Sequence, residues 1–493
     1  MKLVLKLVWF LQDRDLLGIN MSLKFSKICV SALSGGGGKT LLSLGLSRAC
    51  LNKGYNVKTF KKGPDYIDSA WLSLASKNQT TNLDPFFLDE IKLKELFWKS
   101  LKKGDKPLFA LIEGNRGLFD GLDVNGSYST AQLARTLNCP ILLSLDCTKM
   151  TRTSAAIIDG ICNFEENLNF CGVVLNQIGS SRHEFAIRSA LEKYTDIPIL
   201  GAISRMNQDY LPERHMGIAT LDNFFENNKE INERIEKLAD IVKVQVDIDK
   251  ILKFSECEFE HFNSIDLKCD KVCNIGYVND KALWFYYPEN LEALENEGAN
   301  LISLSLFDDL SSWNKIDALY LGGGFPEDYV EELCKSKIFS FLKEKANEGL
   351  PIYAECGGLV ILTKGLKKNG KFYELANILP FSAEFCDKPQ GLGYVEGKII
   401  SKNHFFPENW HFKGHEFHYS RLIIDDNDNI DISNCALKLN RGFGLGNRES
   451  KNYINGYDGY IYKNIWASYS HVFAPSCLIW AKNFVKLASK KKV

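Results

Sequence analysis

The chain lacks three features: a long hydrophobic run, an excess of charge of one sign and a regular cysteine spacing. Lys6 interrupts the apolar stretch near the start, and no uncharged apolar run reaches the roughly 18 residues of a membrane-spanning helix. The 60 basic and 61 acidic residues nearly cancel, so no overall field gathers nucleic acid or an anionic membrane. The 14 cysteines show no framework spacing, which predicts reduced thiols in a cytoplasm.

The length of 493 residues favours two domains, since a single hydrophobic core stops growing at about 250 to 300 residues. Strand-like apolar runs alternate with helix-like stretches in both halves, which is typical of parallel sheets covered by helices. We therefore predict an α/β fold of two tandem domains, each a mostly parallel sheet flanked by helices. The predicted segments are a non-native or disordered extension over residues 1–20, a first domain over 21–246, a polar linker over 247–271 and a second domain over 272–493.

A glycine-rich run lies between a predicted strand and a predicted helix of the first domain. The run is Gly35-Gly36-Gly37-Gly38-Lys39-Thr40. In phosphate-binding loops, backbone N–H groups face the phosphates, the lysine reaches the β and γ oxygens and the threonine binds Mg²⁺. Leu33 replaces the first glycine of the full motif, but the pattern still predicts a site for ATP and Mg²⁺. Ser34 argues against a partition-type ATPase, which places a second lysine there.

Four acidic residues follow the next strands of the predicted sheet. They are Asp65, Asp68, Glu113 and Asp120. Because parallel sheets bind ligands at the carboxyl ends of their strands, we expect these acids to face the nucleotide phosphates. Carboxylates in that position hold Mg²⁺ and position an acceptor for phosphoryl transfer.

The second domain places a cysteine in a sharp turn between a predicted strand and a predicted helix. The turn is Glu355-Cys356-Gly357-Gly358. The positive end of the helix favours a thiolate, and the glycines leave N–H groups free to stabilise an oxyanion. A second glycine turn offers Gly324 as another donor, beside Gly357. Strand-end loops of a parallel sheet converge, so His471 is the expected base, with His415 and His418 as alternatives.

Six segments of the chain together resemble the cobyrinate a,c-diamide synthase family, the glutamine-dependent amidating enzymes of cobalamin biosynthesis. The segments are 60–68, 113–121, 322–327, 355–358, 414–420 and 467–471. They occur in the family's order, and the resemblance covers almost the whole chain from Met21 onward. It implies a P-loop NTPase-like first domain similar to dethiobiotin synthetase and a second domain of the class I glutamine amidotransferase type.

The resemblance also implies roles for the candidate residues. These are Cys356 as the glutaminase nucleophile, His471 as its base, Lys39 as a phosphate ligand, Thr40, Asp65 and Glu113 as metal ligands, and Asp68 and Asp120 as further acids of the carboxylate-activation site. Glutamine and cobyrinate would be the substrates, ATP and Mg²⁺ the cofactors, and a homodimer the candidate assembly. Lys61, Lys62 and Arg116 lie near the acids and are candidates for binding the carboxylates of the macrocycle.

The chain departs from the family at two places. Phe473 stands where many relatives have a second histidine, and Asn115-Arg116 replaces apolar residues. A Cys-His-Glu triad has an acid two residues after the histidine, and no acid stands there after His471. The absence of this acid is typical of the family. Sirohydrochlorin, its nickel form and hydrogenobyrinate stay open as substrates, and cobyric acid synthase is a further alternative. A regulatory ATPase fused to an inert glutaminase-like module is the alternative from another class, and the complete motifs argue against it.

Overall fold

The computed structural model of the protein describes residues 25–101, 105–206, 229–258, 269–423, 430–446 and 454–490. The predicted extension over residues 1–20 lies outside these ranges. Within them, two large sheets each carry helices on their faces, as the alternating pattern predicts. None of the helices in these ranges is long and apolar enough to cross a membrane.

The first sheet is parallel throughout. Its strands are β1 (Phe25–Ala32), β2 (Asn56–Lys62), β3 (Thr81–Leu83), β4 (Leu108–Glu113), β5 (Ile141–Asp146), β6 (Phe170–Ile178) and β7 (Ile199–Ser204), in the spatial order β3-β2-β4-β1-β5-β6-β7. The helices between and after them are α1 (Lys39–Asn52), α2 (Ile67–Ser76), α3 (Glu90–Ser100), α4 (Thr130–Thr136), α5 (Thr153–Phe164), α6 (Ser181–Tyr194) and α7 (Lys229–Gln245). The central strands β1 and β4 are buried along their whole length, because helices cover both faces.

The first part of the predicted linker packs against the first domain. Helix α8 (Ile248–Phe254) follows Asp247, whose side chain caps it. Its buried residues are Ile248, Ile251 and Leu252. The Cys257 N–H then donates to the Phe25 carbonyl of β1 at 2.9 Å. The acidic residues of this segment obscured three apolar positions at helical spacing, which is why the sequence predicts a linker here.

The large sheet of the second domain combines a parallel half with an antiparallel half. The parallel strands are β8 (Cys273–Val278), β10 (Ala299–Leu304), β11 (Ala318–Leu321), β13 (Ile352–Glu355) and β22 (Ile465–Ser468), in the order β10-β8-β11-β13-β22. The sheet continues through the antiparallel strands β21 (Tyr457–Tyr462), β20 (Cys435–Arg441), β17 (Gly391–Ile399), β18 (His411–His418) and β23 (His471–Val472). Strands β22 and β23 are close in the chain but distant in this order, so the antiparallel half curves back toward the end of β22.

Smaller sheets and helices complete the second domain. The strands are β9 (Leu283–Phe285) paired with β12 (Gly323–Gly324), and a sheet of β14 (Gly365–Lys368), β15 (Lys371–Glu374), β16 (Ser382–Phe385) and β19 (Ser420–Ile423). The helices are α9 (Pro288–Asn296), α10 (Val330–Leu333), α11 (Ile338–Asn347), α12 (Gly357–Leu362) and α13 (Leu478–Ser489). Strand β17 mixes buried and exposed residues, unlike the continuous apolar runs from which the sequence predicts parallel strands.

The two domains share an aromatic core. Trp284, Phe285, Tyr287 and Phe473 of the second domain pack into the hydrophobic cluster of the first domain. Tyr66, which follows β2, stacks on Phe285 with ring centroids 4.9 Å apart. Aromatic side chains of this kind each bury about 150–250 Å², so the contact between the domains is strongly apolar.

Helices α1 and α7 pack closely together at Gly45. A Cβ atom there would lie 2.5 Å from Cγ2 of Val242 and 2.8 Å from the Leu238 carbonyl oxygen. We expect Gly45→Ala to lower the free energy of unfolding by about 1–3 kcal/mol, because the extra atom forces the helices apart. The measurement is the Tm of thermal unfolding followed by circular dichroism.

Gly160→Ala in α5 is the matched control for this substitution. A Cβ atom at Gly160 would meet nothing within 4 Å apart from its chain neighbours and the backbone of its own helix. Replacing a helical glycine at such an open site should stabilise the protein by about 0.5–1 kcal/mol. An equal loss of Tm in both variants would contradict the packing argument.

Candidate active sites

The glycine-rich loop of the first domain is held against the ends of β5 and β6. Gly36 and Gly38 have φ values of 76° and 82°, which glycine adopts without strain. A Cβ atom on Gly38 would lie 2.0 Å from Nδ2 of Asn176. The Ser144 hydroxyl donates to the Gly37 carbonyl oxygen at 2.7 Å. The loop is therefore fixed by neighbouring strands while its own glycines carry no side chains that would block a phosphate.

Lys39 and Thr40 open α1 directly after this loop. The Lys39 ammonium donates to the Ser34 carbonyl oxygen at 2.8 Å and so folds back over the loop. Burial and the nearby charge of Lys61 lower the pKa of Lys39. The Thr40 hydroxyl donates to Oε1 of Glu113 at 3.0 Å. This contact joins the loop to the acids of the neighbouring strands.

Lys61, at the end of β2, lies at the centre of the predicted acids. Its ammonium donates to Asp68 at 2.6 Å and to Glu113 at 2.7 Å. Burial opposes the charge on Lys61, but Asp68 and Glu113 together raise its pKa above the ordinary value. Asp65 joins the group, since its Oδ1 accepts from the Asp68 N–H at 2.9 Å. Three predicted acids thus lie together, and Lys61 is occupied by them rather than exposed for a macrocycle.

The environment of these acids fits a bound cation. Burial and the neighbouring Asp68 raise the pKa of Asp65 to about 7, and burial raises the pKa of Glu113. Oε2 of Glu113 is buried without a hydrogen-bond partner in the part of the chain that is described. No group of three or more His, Cys, Asp or Glu side chains in that part is arranged to hold a metal alone. A magnesium ion would therefore combine oxygens of Thr40, Asp65 and Glu113 with phosphate oxygens and water, as this ion usually does.

Asp120 lies in the loop after β4, and its charge acts on Lys39. Its Oδ2 accepts from the Gly117 N–H at 2.8 Å. With Arg116 it lines a cavity of about 580 Å³. Lys62 is buried and donates to the Tyr394 hydroxyl of the second domain at 3.0 Å. Of the three basic residues considered for the macrocycle, Arg116 is the exposed one.

Cys356 occupies a strained turn between β13 and α12. Its φ of 51° and ψ of −106° are unusual for a residue with a side chain and are maintained at a free-energy cost of about 1–3 kcal/mol. The Cys356 N–H donates to the Ser468 carbonyl oxygen of β22 at 2.8 Å. This strand-turn-helix geometry is the one that the sequence predicts for a nucleophile.

The two predicted oxyanion donors lie beside the thiol. Burial and the charge of Glu327 raise the pKa of Cys356, whereas the N–H groups of Gly357 and Gly324 act in the opposite direction. A Cβ atom on Gly357 would lie 3.1 Å from the Gly324 nitrogen, so these donors are adjacent. Two neighbouring N–H groups at a nucleophile form the arrangement that stabilises a tetrahedral intermediate.

His471 opens β23 and is fully buried. It pairs in register with His415 of β18, and the two rings stack with centroids 4.6 Å apart. Nε2 of His471 has no hydrogen-bond partner in the described ranges and is available as a base, but the same holds for Nε2 of His415 and of His418. His418 also lies nearby, where its ring stacks on Tyr469 with centroids 3.7 Å apart and its Nδ1 lies 2.7 Å from the Ser420 carbonyl oxygen. The choice of His471 over His415 and His418 stays a prediction.

Tyr66 connects the two candidate sites. It stands between Asp65 and Asp68 in the turn before α2, and its hydroxyl lies 3.3 Å from Nδ1 of His471. The sequence singles out Asp65 and Asp68 as candidate site residues but not Tyr66 between them. A bulky aromatic residue between two acids at a strand end was the available signal of a contact with another domain.

Both halves of the chain match known protein families. Residues 28–218 match the CobQ/CobB/MinD/ParA nucleotide binding domain, and residues 274–476 match the CobB/CobQ-like glutamine amidotransferase domain. A protein of Magnetococcus marinus named cobyrinate a,c-diamide synthase is 34% identical over 472 residues, which cover 94% of this chain and 97% of that protein. Proteins of the same name from Picrophilus torridus and Caldanaerobacter subterraneus are 36% and 35% identical, covering 92% and 90% of this chain and 97% and 94% of their own. The nucleotide-binding and glutamine amidotransferase domains predicted from the sequence are confirmed.

Glu327 provides a test of the thiol environment. It is buried near Cys356, and its charge raises the pKa of the thiol. We expect Glu327→Gln to lower that pKa, because the neighbouring negative charge is gone. The rate of inactivation by iodoacetamide, measured against pH, should therefore reach its midpoint at a lower pH. Burial raises the pKa of Glu327 to about 7, so the difference from the wild type should appear above that pH.

The control is Asp328→Asn, which removes an adjacent acid whose side chain is 48% exposed. Because water screens that charge, the midpoint should stay at the wild-type value. An unchanged midpoint in Glu327→Gln, or an equal shift in both variants, would contradict the assignment.

Proposed function

The chain belongs to the cobyrinate a,c-diamide synthase family, and from that premise we propose that it amidates the a- and c-acetate carboxylates of cobyrinate. The nitrogen comes from glutamine and the activation from ATP. One observation carries the proposal: a nucleotide loop and a cysteine turn lie in one chain, and a single residue, Tyr66, connects them. A glutamine-hydrolysing ligase needs both centres and a contact between them.

Glutamine is hydrolysed in the second domain. His471 takes the thiol proton, and the Cys356 thiolate attacks the side-chain amide carbon of glutamine. The N–H groups of Gly324 and Gly357 stabilise the resulting oxyanion. The carbon–nitrogen bond then breaks, and His471 returns the proton to the departing nitrogen. Ammonia is released, and a γ-glutamyl thioester remains on Cys356. Water then hydrolyses the thioester to glutamate and regenerates the thiol.

The carboxylate is activated in the first domain. Lys39 and the N–H groups of the glycine loop bind the phosphates, and Thr40, Asp65 and Glu113 would hold Mg²⁺. Mg-ATP supplies the phosphoryl group that turns a poor leaving oxygen into a good one. The acetate carboxylate of the macrocycle attacks the γ-phosphorus of ATP, the bond to the β-phosphate breaks and ADP leaves, which gives an acyl phosphate. Ammonia then attacks the acyl carbon and displaces phosphate, which gives the amide. Two acetate groups are amidated, so the cycle runs twice for each macrocycle.

The apolar contact between the domains supports direct transfer of ammonia. Free ammonia in water at neutral pH takes up a proton and loses its nucleophilic electron pair. Tyr66, Phe285 and Tyr287 are buried at the contact and exclude water there. Ammonia released beside His471 is therefore next to an apolar surface from which water is excluded, so it stays unprotonated there.

Other tetrapyrroles are the competing substrates. The same chemistry on sirohydrochlorin, its nickel form or hydrogenobyrinate uses the same residues, whereas the names of the relatives favour cobyrinate. The expected homodimer stays a prediction.

Mass spectrometry tests both the substrate and the division of labour. Wild-type protein with cobyrinate, Mg-ATP and amide-¹⁵N glutamine should add two ¹⁵N amides in succession. Cys356→Ala should lose this activity with glutamine and keep it with free ammonia. If the wild type hydrolyses glutamine and ATP but leaves cobyrinate unchanged, the substrate assignment fails and sirohydrochlorin is tested next.

Glu113→Gln should give the opposite pattern to Cys356→Ala. The substitution removes the negative charge that pairs with Lys61 and weakens a proposed ligand of Mg²⁺. We expect kcat for amidation to fall about 100-fold or more with either nitrogen source, as for other lost electrostatic contacts. Glutamine hydrolysis, measured as glutamate release, should be retained. Equal loss of glutamate release and amidation would show instead that the substitution disrupts the whole chain.

A further inference from the structure

A histidine that acts as a general base needs a partner for its other ring nitrogen. That partner fixes the tautomer, orients the ring and stabilises the imidazolium that forms. In this chain Phe473 occupies the place, two residues after His471, where the acid of a Cys-His-Glu triad would stand. The orienting group must therefore come from another part of the chain.

Glu355 lies against His471. It is the last residue of β13, directly before Cys356, and it is fully buried. Its Oε2 lies 3.6 Å from Nδ1 of His471, at ion-pair distance. A carboxylate removed from water in this way is destabilising unless hydrogen bonds or an opposite charge compensate it.

Hydrogen bonds hold both oxygens of Glu355 in place. Oε1 accepts from the Val472 N–H at 2.7 Å, and Oε2 accepts from the Tyr320 hydroxyl at 2.9 Å. The first of these bonds ties the carboxylate to the residue after His471. The Val472 backbone therefore fixes the carboxylate relative to the strand that carries His471.

Asn290 of α9 makes hydrogen bonds to the residues that surround Glu355 and His471. Its amide donates to the Val472 carbonyl oxygen at 2.9 Å and to the Tyr320 hydroxyl at 3.2 Å. Its carbonyl oxygen accepts from the Ala474 N–H at 2.7 Å. One fully buried amide thus positions both the strand that carries His471 and the hydroxyl that contacts Glu355.

We infer that Glu355 is the carboxylate that orients His471, in place of the acid that is missing after the histidine. Its carboxylate faces Nδ1 of His471 at 3.6 Å, where the negative charge favours a proton on Nδ1 and leaves Nε2 as the base for Cys356. Glu355 acts through His471 and is a positioning residue, and the inference rests on the proposed glutaminase function. The nucleophile and the orienting acid are then neighbours in the chain.

The other titratable groups around His471 act differently. The Tyr66 hydroxyl lies 3.3 Å from Nδ1, but it is uncharged and stabilises an imidazolium less than a carboxylate does. His415 stacks on the ring, and its own Nδ1 lies 3.3 Å from the Tyr287 hydroxyl. Of the described residues, Glu355 is the one acid at ion-pair distance from His471.

The test uses the full chain and the pH dependence of glutamine hydrolysis. In Glu355→Gln, kcat/KM at neutral pH should fall about 100-fold or more, as when other orienting acids are replaced by amides. The acid limb of the profile should move to lower pH, because the imidazolium has lost its negative partner and His471 gives up its proton more readily. Glu355→Asp keeps the charge and should keep the limb near the wild-type position while lowering kcat.

Two controls separate positioning from general damage. Ammonia-driven amidation should stay within about twofold of the wild type if the variant is folded and its first domain intact. Asp458→Asn removes another buried acid, one that accepts from the N–H groups of Tyr469 and Ser470 in the turn before His471. This control should lower the rate without moving the acid limb.

An unmoved acid limb in Glu355→Gln, or an equal shift in Asp458→Asn, would overturn the inference. An acid limb that moves in Tyr66→Phe but not in Glu355→Gln would also overturn the inference, because Tyr66 would then be the orienting group. Should Glu355→Gln fail to fold, a limb displaced to low pH in Glu355→Asp would overturn it as well. A wild type that amidates with ammonia but never releases glutamate would overturn the proposed glutaminase function itself.

Discussion

The buried ammonium of Lys61 is the contact on which the arrangement of both candidate sites depends. It holds Glu113 of β4 and Asp68 of α2 within 2.7 Å, so the ends of two strands and the start of a helix are fixed together. Without this charge, carboxylates would be buried uncompensated, which is strongly destabilising. Glu113 in turn accepts from the Thr40 hydroxyl, which fixes the position of the glycine loop. Asp68 lies in the first turn of α2, so its ion pair also fixes the position of Tyr66 directly before that helix. One cation thus positions the nucleotide loop and the tyrosine that meets the second domain.

The second domain also depends on a buried charge, but there the charge is negative. A buried carboxylate, Glu355, accepts from the Val472 backbone and the Tyr320 hydroxyl, and these bonds fix the strand that carries His471. In both domains a charge removed from water is retained by several short contacts from different elements. Such a group is rigid, since moving any one partner leaves an unsatisfied ion in an apolar surrounding. Rigid placement is what a nucleophile and its base require.

Much of the fold was predictable because its signals are local. The apolar runs at β1, β2 and β4 and the glycine turns before α1 and α12 depend on neighbours in the chain, and the structure contains them at the expected places. The unpredicted features depend on distant contacts. Tyr66 and His471 are 405 positions apart, and no local pattern records that their rings meet. Lys61 was a candidate for binding the macrocycle because its partner Glu113 is 52 positions away and becomes a neighbour only when β2 and β4 pair. Helix α8 was missed since its apolar positions are few.

The aromatic core shared by the two domains also bears on how such a chain changes during evolution. Tyr66 belongs to one domain and Phe285 and Tyr287 to the other, yet their rings pack as one set. A substitution in this set must be accommodated by residues on the other side of the contact. The two domains are therefore not freely exchangeable. A hybrid of the first domain of this chain and the second domain of a relative contains only one of the two aromatic surfaces that pack together here.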